Sequence, residues 1–130
     1  MGRQENEDTL RKLHSAFTSG DLDAALATFS EDAVWRVAGN SPSSGEFSGK
    51  EGIRKMFEDA MERSGGTFNP EMHDIATSDD HAVFLGRAKG QRSGKSLDEE
   101  ISVVFHLKGG KIAEAWEQGF NQKAIDDFWS

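Results

Sequence analysis

A chain of 130 residues is one domain's worth of polypeptide, long enough to bury roughly two-thirds of its unfolded surface and to fold without a metal or disulfide. It has no cysteine, which excludes a disulfide framework, a thiolate nucleophile and a thiolate zinc site. A net charge of −8 repels nucleic-acid phosphates and anionic bilayers, so neither is an expected partner.

The first dozen residues are polar and charged. They predict neither a secretory leader nor a membrane anchor, and the expected location is the cytoplasm. Leu10, Leu13, Ala16 and Phe17 then recur at three and four residues and predict an amphipathic first helix. Ser19-Gly20-Asp21 breaks it. Asp21 is a good N-cap for a short second helix carrying Leu22, Ala25, Leu26 and Phe29. Residues 33–37 read as a strand, and the Gly-, Ser- and Pro-rich stretch 39–49 as a loop. Ser48 and Glu51 have capping-box spacing ahead of a third helix with a stripe of Ile53, Met56, Phe57, Ala60 and Met61.

After Ser64-Gly65-Gly66 the period changes to two. Strands are expected at 68–77, 81–89, 97–107 and 111–120. Ser78-Asp79-Asp80 and Lys108-Gly109-Gly110 supply tight turns, and 90–95 reads as a looser hairpin end. Short connections make these strands antiparallel neighbours. A last helix after Asn121 carries Ala124, Ile125, Phe128 and Trp129. Helices followed by a meander predict a single α+β domain over 1–130: a curved antiparallel sheet wrapped around helices, with an internal apolar pocket between the layers.

The order of several motifs carries a further likeness. They are Ser19-Gly20-Asp21-Leu22-Asp23-Ala24, Ser30-Glu31-Asp32-Ala33-Val34-Trp35, Gly45-Glu46-Phe47-Ser48-Gly49-Lys50-Glu51-Gly52-Ile53, Ser78-Asp79-Asp80-His81 and Gly110-Lys111-Ile112-Ala113-Glu114-Ala115-Trp116. Together they resemble the nuclear transport factor 2-like superfamily, in particular its SnoaL-like and ketosteroid-isomerase-like members. The resemblance implies a cone-shaped, cystatin-like fold, frequent homodimers and no cofactor. It does not imply one chemistry, because the superfamily holds isomerases, cyclases, dehydratases, epoxide hydrolases and non-enzymes.

By alignment with steroid isomerases of this fold, the oxyanion tyrosine falls at Leu13, the base at Val37 and the oxyanion aspartic acid near Val103. Apolar side chains neither shuttle a proton nor donate to an enolate oxygen, so that mechanism is not expected. SnoaL-like cyclases place one acid on the last strand, five residues past the isoleucine of the Gly-Lys-Ile turn. That position is Glu117, a glutamate where the family has aspartate. Facing an apolar cavity, its pKa should rise towards the range of a general acid or base. A slip of one residue in parity would instead put Glu117 in solvent and Gln118 inside.

The remaining pocket residues implied by alignment and parity are Leu13, Phe17, Phe29, Trp35, Val37, Phe57, Met61, Phe84, Val103 and Phe105. This aromatic lining suits a small apolar molecule, flat and even polycyclic. Plain core packing is the competing reading for Trp35. Trp116, of opposite parity to Glu117, is expected on the outer sheet face, where it would pack in a homodimer. None of His14, His73, His81 and His106 has metal-ligand spacing, so no metal is expected. A surface or hydrogen-bonded role is the default for each, with the pocket rim as the alternative for His14, which adjoins Leu13; Arg36, Arg87 and Arg92 read as surface charges. Three functions follow: a cofactor-independent isomerase, cyclase or hydrolase using Glu117, a non-catalytic ligand-binding or assembly module, and a dimerisation scaffold.

Overall fold

The computed structural model describes residues 2–130. The elements run α1 (Arg3–Thr18), α2 (Leu22–Leu26), β1 (Phe29–Val37), β2 (Gly45–Ser48), α3 (Gly49–Arg63), β3 (Asn69–Thr77), β4 (His81–Arg92), β5 (Lys95–Lys108), β6 (Lys111–Gly119) and α4 (Gln122–Trp129). The strands form one sheet in the order β2-β1-β6-β5-β4-β3. The fold is the expected α+β type, a curved sheet covering helices. Its meander β3 to β6 is antiparallel throughout, whereas β1 joins β6 in parallel. The sheet is therefore mixed.

The apolar stripe of α1 lies against the concave face, with Leu10, Leu13, Ala16 and Phe17 buried. Two polar residues on the same stripe fix its position. Asn6, only 2 % exposed, donates through Nδ2 to the carbonyls of Ser78 (3.0 Å) and Asp79 (3.1 Å) in the β3–β4 turn. The Thr9 hydroxyl donates to Gly110 O in the β5–β6 turn at 2.9 Å. Both are satisfied, so their burial carries no desolvation penalty for an unpaired group.

Several local expectations change. Asp21 does cap α2, its side chain accepting from Ala24 N at 3.1 Å. That helix ends at Leu26, so Phe29 opens β1 instead of lying on the helix. Four residues of the predicted 39–49 loop form β2, an edge strand paired with β1. Ser48 is the last residue of that strand, with extended backbone facing Val34, and its side chain makes no cap bond to α3. Strand pairing outcompetes the capping box. The 90–95 segment is not loose: β4 and β5 continue to Arg92 and Lys95, and Ser93-Gly94 closes them with φ of 49° and 78°. Two left-handed central residues match a twisted two-residue hairpin.

Curvature comes from irregular pairing. Register shifts lie between Met72 and Asp74 on β3 and between His106 and Leu107 where β5 meets β6. Bulges of this kind bend the strand that carries them. Beside the first of them β4 carries Gly86. A Cβ at that position would collide with the Glu71 carbonyl oxygen and with the Phe84 ring. The bend thus needs a residue without a side chain. Gly86→Ala is expected to cost about 1–3 kcal/mol of stability, the range of overpacked core substitutions, with a shifted urea midpoint as the readout.

Candidate functional site

The concave face of the sheet, α1, α3 and α4 enclose a cavity of about 150 Å³. Strand pairing sets its floor. Val37, Glu117, Val103 and Phe84 are register partners across β1, β6, β5 and β4, so they form one transverse row. Alternation puts that whole row on the inner face. Trp35, Ala115 and Phe105 form the next row by the same pairing.

Aromatic rings make the walls. Phe17 packs edge-on to Phe57 with centroids 5.2 Å apart, Trp35 meets Phe57 at 5.6 Å, and Trp35 meets Phe105 at 5.5 Å. Phe68 bridges Phe17 and Trp129 at 6.1 and 5.5 Å. Edge-to-face pairs at these distances are favourable and fix ring orientation.

Glu117 sits in this lining in the inward row of Val37 and Val103, while Gln118, at the cavity's edge, turns its amide to Ser102 O and Oγ on β5 at 2.9 and 2.8 Å. Trp35 Nε1 donates to its Oε1 at 3.0 Å. Glu117 as a residue is half-buried, yet the protein packed around its carboxyl makes desolvation the largest influence, raising its pKa above the ordinary value. The Trp35 bond opposes that rise because a donated hydrogen bond favours the charged form. The two readings of Trp35 merge, since it is packed in the core and also lines the cavity.

Of the predicted pocket residues, Leu13, Phe17, Trp35, Val37, Phe57, Phe84, Val103 and Phe105 line the cavity. Phe29 and Met61 do not. Phe29, 1 % exposed, packs behind Trp35 and Phe57 at 6.0 and 6.3 Å. As a strand residue it takes the direction set by β1, not that of a helical stripe. Met61 packs on the core, and Met56 and Ala60 present the face of α3 that meets the cavity.

The expectation also lacked residues that do line it. Ile101 and Leu97 share the inward parity of Val103 and were legible from alternation. Phe68, Ile125 and Trp129 join through tertiary packing, as does the polar mouth; His14, which the sequence set beside the rim, lines the cavity too. That mouth is made by Ser41, Pro42, Ser43 and Ser44 of the β1–β2 loop, Asp59 and Arg63 of α3, and Gln122 and Asp126 of α4. Gln122 Nε2 donates to Ala38 O at 3.3 Å and Asn40 N donates to Asp126 Oδ2 at 2.9 Å, clasping loop 38–44 to α4. Gly39, at φ +97°, has no room for a Cβ against Asp126 and Gln122.

Arg36, Arg87 and Arg92 stand outside the cavity. Arg36 bridges Glu46 and Glu114 and lies 5.5 Å from the Trp116 ring centroid. Arg87 binds Asp98 and Glu100, and Arg92 donates to the Phe128 and Ser130 carbonyls. Among the described residues no group of three or more His, Asp and Glu side chains converges as metal ligands, and no helix is long and apolar enough to cross a membrane.

Comparison with known proteins agrees with this architecture. The family model of the SnoaL-like domain matches residues 10–115. The uncharacterised protein Rv0034 of Mycobacterium tuberculosis is 26 % identical over 124 residues, covering 95 % of both chains. Bal32a, from a soil-derived mobile gene cassette, superposes with a TM-score of 0.95 at 32 % identity over 98 % of each chain. A nuclear transport factor 2-like protein of Burkholderia xenovorans shares the fold, with a TM-score of 0.86 at 18 % identity over 100 % of this chain and 99 % of its own. The transverse row that carries Glu117 is thus built on a nuclear transport factor 2-like fold, and the chain belongs to the SnoaL-like domain family.

Proposed function

We propose that this protein takes a small apolar molecule into the aromatic cavity and acts on it with Glu117 as a general acid or base, as a cofactor-independent isomerase, cyclase or hydrolase. The observation that carries this reading is a carboxyl group on the cavity floor, walled by rings and aimed by a single donor, Trp35 Nε1. Desolvation raises its pKa, which brings the neutral acid and its conjugate base closer in free energy near neutrality. Ionised, it would remove an acidic carbon-bound proton; neutral, it would donate to a carbonyl or leaving oxygen. The oxygen not held by Trp35 is the one available for that transfer.

Cavity size narrows the ligand. A cavity of about 150 Å³ is the volume that accommodates one benzene-sized ring in a protein core. A polycyclic ligand would have to displace the clasped 38–44 loop. The favoured ligand is therefore one ring or its aliphatic equivalent.

A second reading, a dimeric module, draws on the outer face. Trp116, Val104 and Val83 are register partners across three strands there, all half-buried, with exposed Leu85 adjacent to Val83 on the same strand. A contiguous apolar row on an otherwise charged face suits a second copy of the chain. The two readings are compatible.

Four measurements test these proposals. In thermal-shift titrations, single-ring compounds such as toluene should raise Tm in a concentration-dependent way while anthraquinone does not; no shift with any ring compound removes the ligand role. Once a turned-over ligand is found, Glu117→Gln should abolish turnover and leave affinity largely intact. The same variant has a pH signature. Above the ordinary value of 4.5, the unfolded chain releases a proton that the folded chain retains. Wild-type stability then falls as pH rises through that window, and the loss is complete above the raised folded value. Glu117→Gln should match wild type near about pH 4 and exceed it in Tm near about pH 8. Val104→Lys should convert a sedimenting dimer to monomer without lowering ligand-induced stabilisation, and a monomeric wild type would dismiss the assembly reading.

A further inference from the structure

The cavity holds a second polar group that the Glu117 chemistry does not use. His14, half-buried on α1, lines it. Its Nε2 lies 2.7 Å from the carbonyl oxygen of Pro70 on β3. A carbonyl oxygen only accepts, so Nε2 must carry the hydrogen. In the neutral ring this leaves Nδ1 as a bare acceptor, and Nδ1 has no hydrogen-bond partner among the described residues. The ring plane is fixed as well: it packs on Phe84 with centroids 5.7 Å apart and planes tilted by 36°. Backbone geometry therefore chooses the tautomer, and an aromatic neighbour holds its direction.

Phe84 stands in the same transverse row as Glu117, two strands away. At strand spacing that is about 10 Å along the sheet. The cavity thus has apolar walls, with Glu117 on its floor and His14 on α1 standing over Phe84, further along the same row.

We propose that His14 Nδ1 is a specificity-determining contact of the cavity and that its ligand is a single-ring phenol, enol or alcohol whose hydroxyl donates to it. A free acceptor on a cavity-lining ring is satisfied by such a ligand and left unpaired by a hydrocarbon of the same shape. This inference rests on the small-molecule reading above, and the test separates the two. It uses p-cresol and p-xylene, equal in shape and differing by one donor, against wild type and His14→Gln. The glutamine amide nitrogen can still donate to Pro70 O, while its carbonyl oxygen, on a flexible chain that lacks the stacked ring, is not held where Nδ1 stood.

Titration calorimetry should show p-xylene binding both proteins within about twofold, while p-cresol binds His14→Gln about threefold to tenfold more weakly, the range one net hydrogen bond carries. In wild type, the 15N spectrum of His14 should show Nε2 protonated, and the Nδ1 resonance should move with p-cresol and not with p-xylene. If p-xylene binds, p-cresol is insensitive to the substitution and Nδ1 does not move, the His14 proposal is overturned and the cavity reading stands. If neither compound binds wild type, both fall. If His14→Gln fails to fold, the wild-type nitrogen shifts decide alone.

Discussion

The parallel pairing of β1 with β6 is the constraint from which the site follows. It aligns Val37 with Glu117 and Trp35 with Ala115, and so brings an indole N–H from the start of the chain to a carboxyl near its end. The two side chains are 82 positions apart yet 3.0 Å from donor to acceptor. An antiparallel meander alone could not do this, because its neighbours are consecutive strands. The parallel step requires β1 to travel round the helical layer, and the lysine of the β5–β6 turn stitches the return: Lys111 Nζ donates to Ala27 O at 2.7 Å, and Ile112 N to Thr28 O at 2.9 Å. A carboxyl in an aromatic surround is costly to ionise. One fixed donor offsets part of that cost and selects one rotamer.

What was legible in the sequence divides along the same line. Period-two alternation in β5, from Ile101 through Leu107, correctly assigned Val103 and Phe105 inward. The 3.6-residue stripes of α1 and α3 correctly placed Leu13, Phe17 and Phe57. Position by position, local period predicts facing because the backbone alone sets it. The period failed where the element type itself was misjudged. Phe29 reads as the next turn of α2 after Leu26, but Asp21 caps a helix of five residues and the chain turns extended before Phe29. β2 was illegible because a four-residue edge strand with one apolar residue, Phe47, has no period to detect. The Glu117 position came from family likeness; alternation left its face open by one residue. Adjacency to Leu13 brought His14 no further than the rim, since the direction of its ring depends on Pro70 and Phe84, distant in the chain.

The two faces of the sheet divide the charge. Outside, Arg36, Glu46, Glu114 and His106 form a connected set, and Arg87, Asp98 and Glu100 another. Glu114 is held below the usual carboxylate range, chiefly by its bond to Arg36. Glu117, three residues later on the same strand, moves the opposite way because burial dominates over the single opposing bond from Trp35. Two glutamates on one strand are therefore driven apart by the face each occupies. Surface pairs of this kind contribute little stability individually. They engage Arg36 and Arg87 on the convex side, away from the buried acid, whose hydrogen bond comes from the uncharged Trp35 indole.

That separation bears on how the cavity can open. Its walls are interlocked rings and its floor is paired strand, neither of which moves without losing packed area. Its polar rim is different: loop 38–44 meets α4 through two bonds from Gln122 and Asp126. α4 itself is tied at its C-terminus by Arg92 and Lys95 from the β4–β5 hairpin, which donate to the last carbonyls of the helix. Cations at that end match the helix dipole and satisfy otherwise orphaned acceptors. The helix is thus anchored at its far end and loop-bound at its near end. A few exchangeable hydrogen bonds to solvent-reached groups, each of about 1 kcal/mol net, are far cheaper to break than an aromatic wall. The clasp between loop 38–44 and α4 is therefore the part of the cavity wall that opens at the least cost in packing and hydrogen bonding.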